Sequence, residues 1–221
     1  MRFIENPELL IGFVPAILIA LTFHEYAHAR VAYAYGDRTA ERAGRLTLNP
    51  VSHLDPIGTL MILLAGIGWA RPVPINPYVF RDVRQGLLWV SLAGPLANFG
   101  LAFISIFVMS LMISAGFTSD IMILVMTSLV QLNLILGIFN LLPLPPLDGS
   151  KILTSILPPS SLATFRQIEA YAPLILILLI VFGVLGAILF PIAGLIFTVF
   201  DTIVTLITGV SVRIFFPFTF F

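Results

Sequence analysis

The sequence predicts an all-α integral membrane protein, with about five to six transmembrane helices and a short re-entrant or β-hairpin segment near residues 57–77. Three observations predict it. The 221 residues are 59% hydrophobic and 10% charged, with a mean hydropathy of +1.07, where soluble domains carry roughly 25% charged residues. Apolar runs of about 20 residues, enough to cross a bilayer, recur along the chain. The polar groups inside them are few and gather toward one end of the runs, as groups with a function at membrane depth do. The chain reads as a single membrane-embedded domain over residues 1–221, with no stretch polar enough for a second domain and no 20–50-residue repeat.

Composition narrows the function classes. Eleven Lys+Arg balance eleven Asp+Glu, so there is no basic excess for a nucleic-acid partner or a polybasic anchor. With no cysteine, disulfides and thiolate metal sites are excluded, and His, Asp and Glu remain as metal ligands. The amino terminus does not read as a cleavable signal, because acids follow Arg2 and no small-residue cleavage site ends the first apolar run.

The elements follow in order. Leu9–Tyr35 is the first span. Ile57–Ala70 is short and glycine-rich for a span. Irregular backbone at membrane depth must be covered by protein, so this run is expected to be re-entrant or a strand hairpin, with a short sixth span as the alternative. Leu87–Ala115 and Ile121–Leu142 are clear spans. Pro173–Phe190 is a fourth. Ile192–Val210, interrupted by Asp201, is a fifth. The aromatic tail Phe215–Phe221 reads as an interfacial anchor, with packing in a homo-oligomer as the alternative.

Arginine placement orients the spans. Arg30, Arg38, Arg42, Arg45, Arg71, Arg81 and Arg84 lie at the end of the first run or between it and the next clear one. Lys151 and Arg166 lie between the third and fourth, and Arg213 follows the fifth. With five spans, all of these fall on the cytoplasmic side of a cell membrane and the amino terminus falls outside.

The first span carries His24-Glu25-Tyr26-Ala27-His28. Residues four apart share a helix face, so both imidazoles can hold one divalent metal with Glu25 beside them as a general base, the zinc metalloprotease pattern. Chance gives this pattern about once in a thousand chains of such composition. A catalytic zinc takes three protein ligands and keeps one open position. The remaining candidates on the cytoplasmic side are His53, Asp37, Glu41, Asp55, Asp82, Asp148 and Glu169. Asp148 stands out, since Pro143, Pro145 and Pro146 must break the helix before it and Gly149 allows a tight turn after it. The alternative for Asp148 is a turn-forming Asp-Gly at a helix end.

Together, His24-Glu25-x-x-His28 and Asn140-x-x-Pro143-x-Pro145-x-Leu147-Asp148-Gly149 resemble the site-2 protease family of intramembrane zinc metalloproteases. Asn49-Pro50-x-x-His53-x-Asp55-Pro56-x-Gly58, Ala70-x-Pro72-Val73-Pro74-Ile75-Asn76-Pro77 and Ala93-Gly94-Pro95-x-Ala97-Asn98 are similar to bacterial members. The resemblance runs from about residue 8 to 155. It departs at Ser150, where the family usually has a second glycine, and it is to a minimal type without PDZ or CBS modules. It implies that His24, His28 and Asp148 bind Zn2+ and that Glu25 is the general base and acid. Asn140 and His53 would orient the substrate backbone or stabilise the oxyanion. The implied substrates are transmembrane helices within the lipid bilayer. A helix hides its carbonyls and must unwind locally before cleavage, and the Ile57–Pro77 segment is expected to offer a strand edge to the unwound chain, with a structural plug as the alternative. The competing reading is a metal-binding channel or transporter, whose pathways also use buried His and acids. It fits less well, because transporters are commonly built from inverted repeats.

Overall fold

The computed structural model describes residues 9–65 and 68–216, with the backbone alone at 62–65, 163, 164, 166 and 168. The charged amino terminus, most of the aromatic tail (217–221) and residues 66–67 lie outside the described residues. In chain order the helices are α1 (Leu9–Ala34), α2 (Thr39–Arg42), α3 (Pro56–Ala65), α4 (Val83–Ser114) and α5 (Asp120–Asn140). Then come α6 (Asp148–Ile156), α7 (Pro159–Glu169), α8 (Ala172–Val181) and α9 (Val184–Thr208). No strand occurs among the described residues. The all-α membrane fold expected from the sequence is therefore the one observed.

Four of these helices, α1, α4, α5 and α9, are long and apolar enough to cross a membrane. At 1.5 Å per residue they rise about 39, 48, 32 and 38 Å, against a hydrocarbon core of about 30 Å. The carboxy-terminal half differs from expectation. Pro173–Phe190 and Ile192–Val210 were expected to divide near residue 191. Instead the chain breaks at Phe182-Gly183, where Gly183 takes the left-handed conformation (φ 70°), open to glycine at no steric cost. Pro191 lies inside α9, as prolines do in membrane helices whose neighbours satisfy the freed carbonyl. This leaves α8 with ten residues, about 15 Å and too short to cross alone.

The Ile57–Ala70 run was expected to be re-entrant or a strand hairpin; among its described residues there is no strand, and Pro56–Ala65 forms helix α3. Asp55 caps this helix, its Oδ1 accepting from Gly58 N at 2.8 Å, and Pro56 opens the first turn, where its missing N–H is harmless. The excursion closes on itself through one antiparallel bridge, Leu54–Ala70, with Arg71 N donating to His53 O at 2.9 Å.

Helices α1, α4 and α5 pack on one another, α9 covers α4 and α5, and α6 rests on α4. Along α1 the ridge Gly12, Ala16, Ala20, His24, His28, Ala32 is buried throughout. Small residues at four-residue spacing let helices approach closely in lipid. A Cβ on Gly12 would lie 2.8 Å from Leu124 O of α5. The histidines continue this ridge, so the packing that seats α1 also aims them inward. The apolar core lies beyond, where Ile106 and Met109 of α4, Val130 and Leu134 of α5 and Phe197 and Val204 of α9 meet. Asp201, unassigned from sequence, caps the returning chain: its carboxylate accepts from Val212 N at 2.9 Å and Ser211 Oγ at 2.8 Å.

Candidate metal centre and active site

His24, Glu25 and His28 occupy the second half of α1. After α5 ends at Asn140, the chain crosses Leu141–Leu147 and opens α6 at Asp148. Gly149 was expected to serve a tight turn. Its place is instead inside α6, against the carbonyls of Leu141 and Leu142, where a Cβ would collide with both. That contact brings Asp148 back under α1. Ser150, standing where the family usually has glycine, is accommodated there by donating to Leu147 O at 2.7 Å.

The three side chains converge. His24 Nε2 and His28 Nε2 are 3.0 Å apart, and Asp148 Oδ2 lies 3.2 Å from the first and 3.0 Å from the second. Ligand atoms around a tetrahedral zinc, at about 2.0–2.1 Å from the ion, are separated by about 3.3 Å. The observed triangle is therefore close to the size one zinc requires. All three residues are buried, and among the described residues they form the group suited to hold a metal ion.

Both imidazoles are held from behind. His28 Nδ1 lies 2.6 Å from the carbonyl of Val90, an acceptor only, so Nδ1 carries the proton and Nε2 presents its lone pair. His24 Nδ1 lies 2.6 Å from Asn98 Oδ1. The Asn98 amide nitrogen donates to Ala20 O at 3.2 Å and Asn133 Oδ1 at 2.8 Å, which leaves Oδ1 as the acceptor for His24. Asn133 in turn donates to Leu129 O at 2.8 Å. A relay through α1, α4 and α5 thus fixes the ring that faces the metal position, the arrangement that orients histidine ligands generally. Gly94 stands opposite. A Cβ there would overlap His28 Nε2 and sit 2.6 Å from His24 Nε2, in the space an ion would take. The donor set and this cradle fit zinc.

A cavity of about 120 Å³ opens beside the triangle. Glu25 lines it next to the histidines, with its Oε2 accepting from Val73 N at 3.0 Å. Pro72, Val73 and Ile75 line another part of it, and Asn140, Pro146 and Lys151 the remainder. Asn140 donates its amide to Leu136 O at 3.0 Å. Lys151 Nζ lies 3.6 Å from Asp148 Oδ1.

His24, Glu25, His28, Asp148 and Asn140 are thus brought together. His53 is not. It is buried outside the cavity lining, with Nε2 bonded to Thr47 O at 2.9 Å and its carbonyl receiving Arg71 N. It organises the loop that returns the 71–77 segment to α1. The sequence reading missed Asn98 and Asn133 as ring supports. Two amides in the middle of apolar helices are the signal that could have found them.

Comparison with known proteins points the same way. The profile of peptidase family M50 matches residues 110–183, the stretch that includes Asn140 and Asp148. A Bacillus subtilis protein provisionally named zinc metalloprotease YwhC is 44% identical over 198 residues, covering 86% of this chain and 90% of its own length. Rip2 of Mycobacterium tuberculosis, with the same provisional name, is 30% identical over 206 residues, covering 89% and 74% respectively. A relative so named in Methanocaldococcus jannaschii is 30% identical over 154 residues, covering 67% and 73%. No solved structure matches the chain significantly. With spanning-length helices, a buried His-His-Asp triangle and relatives aligned over most of their length, the chain belongs to peptidase family M50, the site-2 protease family of zinc metalloproteases.

Proposed function

We propose that the chain is an intramembrane protease that hydrolyses peptide bonds within or near transmembrane helices of membrane-protein substrates. The observation that carries this is the His24–His28–Asp148 triangle with Glu25 beside it on α1, a helix long enough to span. In this reading the three side chains bind zinc and residues 1–221 act as one membrane domain. Bound there, zinc supplies an acidified water and polarises the scissile carbonyl.

The chain's own groups do the rest. Glu25 keeps one carboxylate oxygen on Val73 N–H and has the other for the proton of the attacking water. It returns that proton to the amine as the peptide C–N bond breaks, leaving a carboxyl and an amino end. Asn140 lines the cavity while its amide donates to Leu136 O. Its amide is suited to hold a substrate carbonyl in place. His53, outside the cavity lining, takes no part in these steps.

A substrate helix hides its carbonyls in internal bonds and must unwind locally to reach Glu25. The Arg71–Pro77 segment, beside the cavity, is the surface an unwound chain would meet. Arg30, Arg38, Arg42, Arg45, Arg71, Arg81 and Arg84 all lie near the His28 end of α1 or in the segment after it. By the positive-inside rule, this supports a site toward the cytoplasmic side of the cell membrane.

The test uses purified protein in phosphatidylcholine vesicles with a labelled single-span peptide carrying a Gly-Pro break. The wild type should bind one zinc per chain and cut the peptide. Glu25→Gln should keep the zinc and lose about 100- to 10,000-fold in rate, the usual worth of a general base. Cleavage by Glu25→Gln at the wild-type rate would refute the assignment.

A further inference from the structure

The segment Arg71–Asn76 runs beside the cavity and is tied at two points, one on α1 and one on the turn that follows it. At one, Val73 N donates to Glu25 Oε2 at 3.0 Å. At the other, Asn76 N donates to Asp37 Oδ2 at 2.7 Å. Pro72 and Pro74 have no N–H to offer, so few backbone donors are left to hold this stretch. Asp37 is 1% exposed, and a carboxylate is rarely buried so fully without a demand for its charge.

Asp37 is itself rigidly placed. Helix α1 ends in a glycine turn: Gly36 has φ 95°, and Asp37 N donates to Ala32 O at 2.9 Å, the bond of a Schellman motif. The other carboxylate oxygen accepts from Thr39 N at 2.9 Å and Thr39 Oγ1 at 2.5 Å. Three donors thus converge on a side chain anchored to the helix that carries His24, Glu25 and His28. Apolar contacts support the segment between its two ties: Val73 packs with Ala29 and Ala40, with Ile75 against them.

We propose that Asp37 is a positioning residue for the reaction, holding the Arg71–Asn76 strap in register so that Val73 N–H orients the Glu25 carboxylate and the strap closes one side of the metal cavity. The proposal rests on the reading of Glu25 as the base. Orientation, and not blockade, follows from the chemistry of the carboxylate: two oxygens offer about four acceptor sites, and Val73 N–H takes one of them. Asp37 lies outside the cavity lining, so its loss reaches the cavity through the strap, while the Thr39 turn loses its own two bonds.

The test loads the full-length chain with zinc in detergent micelles and measures zinc release to excess EDTA, then kcat per bound zinc on the peptide used above. Asp37→Ala should start with one zinc per chain and release it about tenfold faster. Its kcat per bound zinc should fall about tenfold, because a charge-assisted bond to a buried donor is worth an order of magnitude or more. Asp37→Asn keeps an acceptor for Asn76 N and should stay within about threefold of wild type. Should Asp37→Ala fail to fold, Asp37→Ser decides. Its hydroxyl can serve the Thr39 turn but is too short to hold Asn76 as well, so it should show the tenfold changes.

Zinc release and kcat per bound zinc within twofold of wild type in Asp37→Ala, or in Asp37→Ser where the alanine variant does not fold, would overturn the proposal. So would a lowered melting temperature with both quantities unchanged, the result of a merely structural role. If the wild type cuts no peptide, the proteolytic reading fails, while the zinc-release arm still decides the strap.

Discussion

Replacing Gly94 with alanine adds one methyl group, and its position is set by the backbone of α4. That Cβ would stand 2.5 Å from His24 Cε1 and 2.6 Å from His24 Nε2, and would overlap His28 Nε2. Non-bonded heavy atoms prefer about 3.5 Å or more, so the methyl intrudes by nearly 1 Å. Neither ring can swing aside cheaply, because His24 Nδ1 is held by Asn98 and His28 Nδ1 by the Val90 carbonyl. The methyl also competes for the point from which an ion would reach both Nε2 atoms. Overpacking of this kind costs about 1–3 kcal/mol, which corresponds to zinc binding weakened roughly 5- to 150-fold. The assay is competition for zinc against a chromogenic chelator, with the melting temperature of each protein measured alongside. A folded Gly94→Ala protein that binds zinc within threefold of wild type would refute the placement of Gly94 against the ligand atoms.

Two further outcomes follow from buried hydrogen bonds. Asn98→Ala leaves the His24 ring without its acceptor and Ala20 O and Asn133 Oδ1 without their donor. Zinc affinity should fall about 10- to 100-fold, the usual cost of losing such a support, as read by the same competition, and Asn98→Asp should recover part of it. Asp201→Ala strips the buried Val212 N–H of its acceptor, which should cost about 1–3 kcal/mol. It should appear as a lower melting temperature with zinc content unchanged.

The centre was legible in the sequence because its chemistry is local in pattern. A four-residue spacing on one helix puts His24 and His28 on one ridge whatever the tertiary fold. Asp148 was marked by prolines that had to end α5 just before it. What brings the two stretches together was not legible. The stripe Gly12, Ala16, Ala20 fits several partners until α5 is seen against it, and the Asn98–Asn133 relay joins residues 35 apart on different helices. Helix breaks were misplaced for a related reason. In an apolar run, proline and glycine both read as interruptions, yet a membrane helix can carry Pro191 inside α9, while Gly183 takes the left-handed turn that separates α8 from α9. The Ile57–Ala70 run read as re-entrant or as a strand hairpin because it is short and glycine-rich. Asp55-Pro56 starts a helix there, which satisfies its own backbone without a partner strand. His53 stood out as the third histidine of a motif, and motif membership does not say whether a ring faces a cavity or ties a loop.

The most direct measurement is X-ray absorption at the zinc edge on the purified, zinc-loaded chain, alongside its metal stoichiometry. The fold predicts one zinc per chain, bound by two imidazole nitrogens at about 2.0–2.1 Å and a carboxylate oxygen at about 2.0–2.2 Å, with the oxygen signal altered in Asp148→Ala. A coordination shell with one imidazole, or one that Asp148→Ala leaves unchanged, would contradict the His24–His28–Asp148 centre.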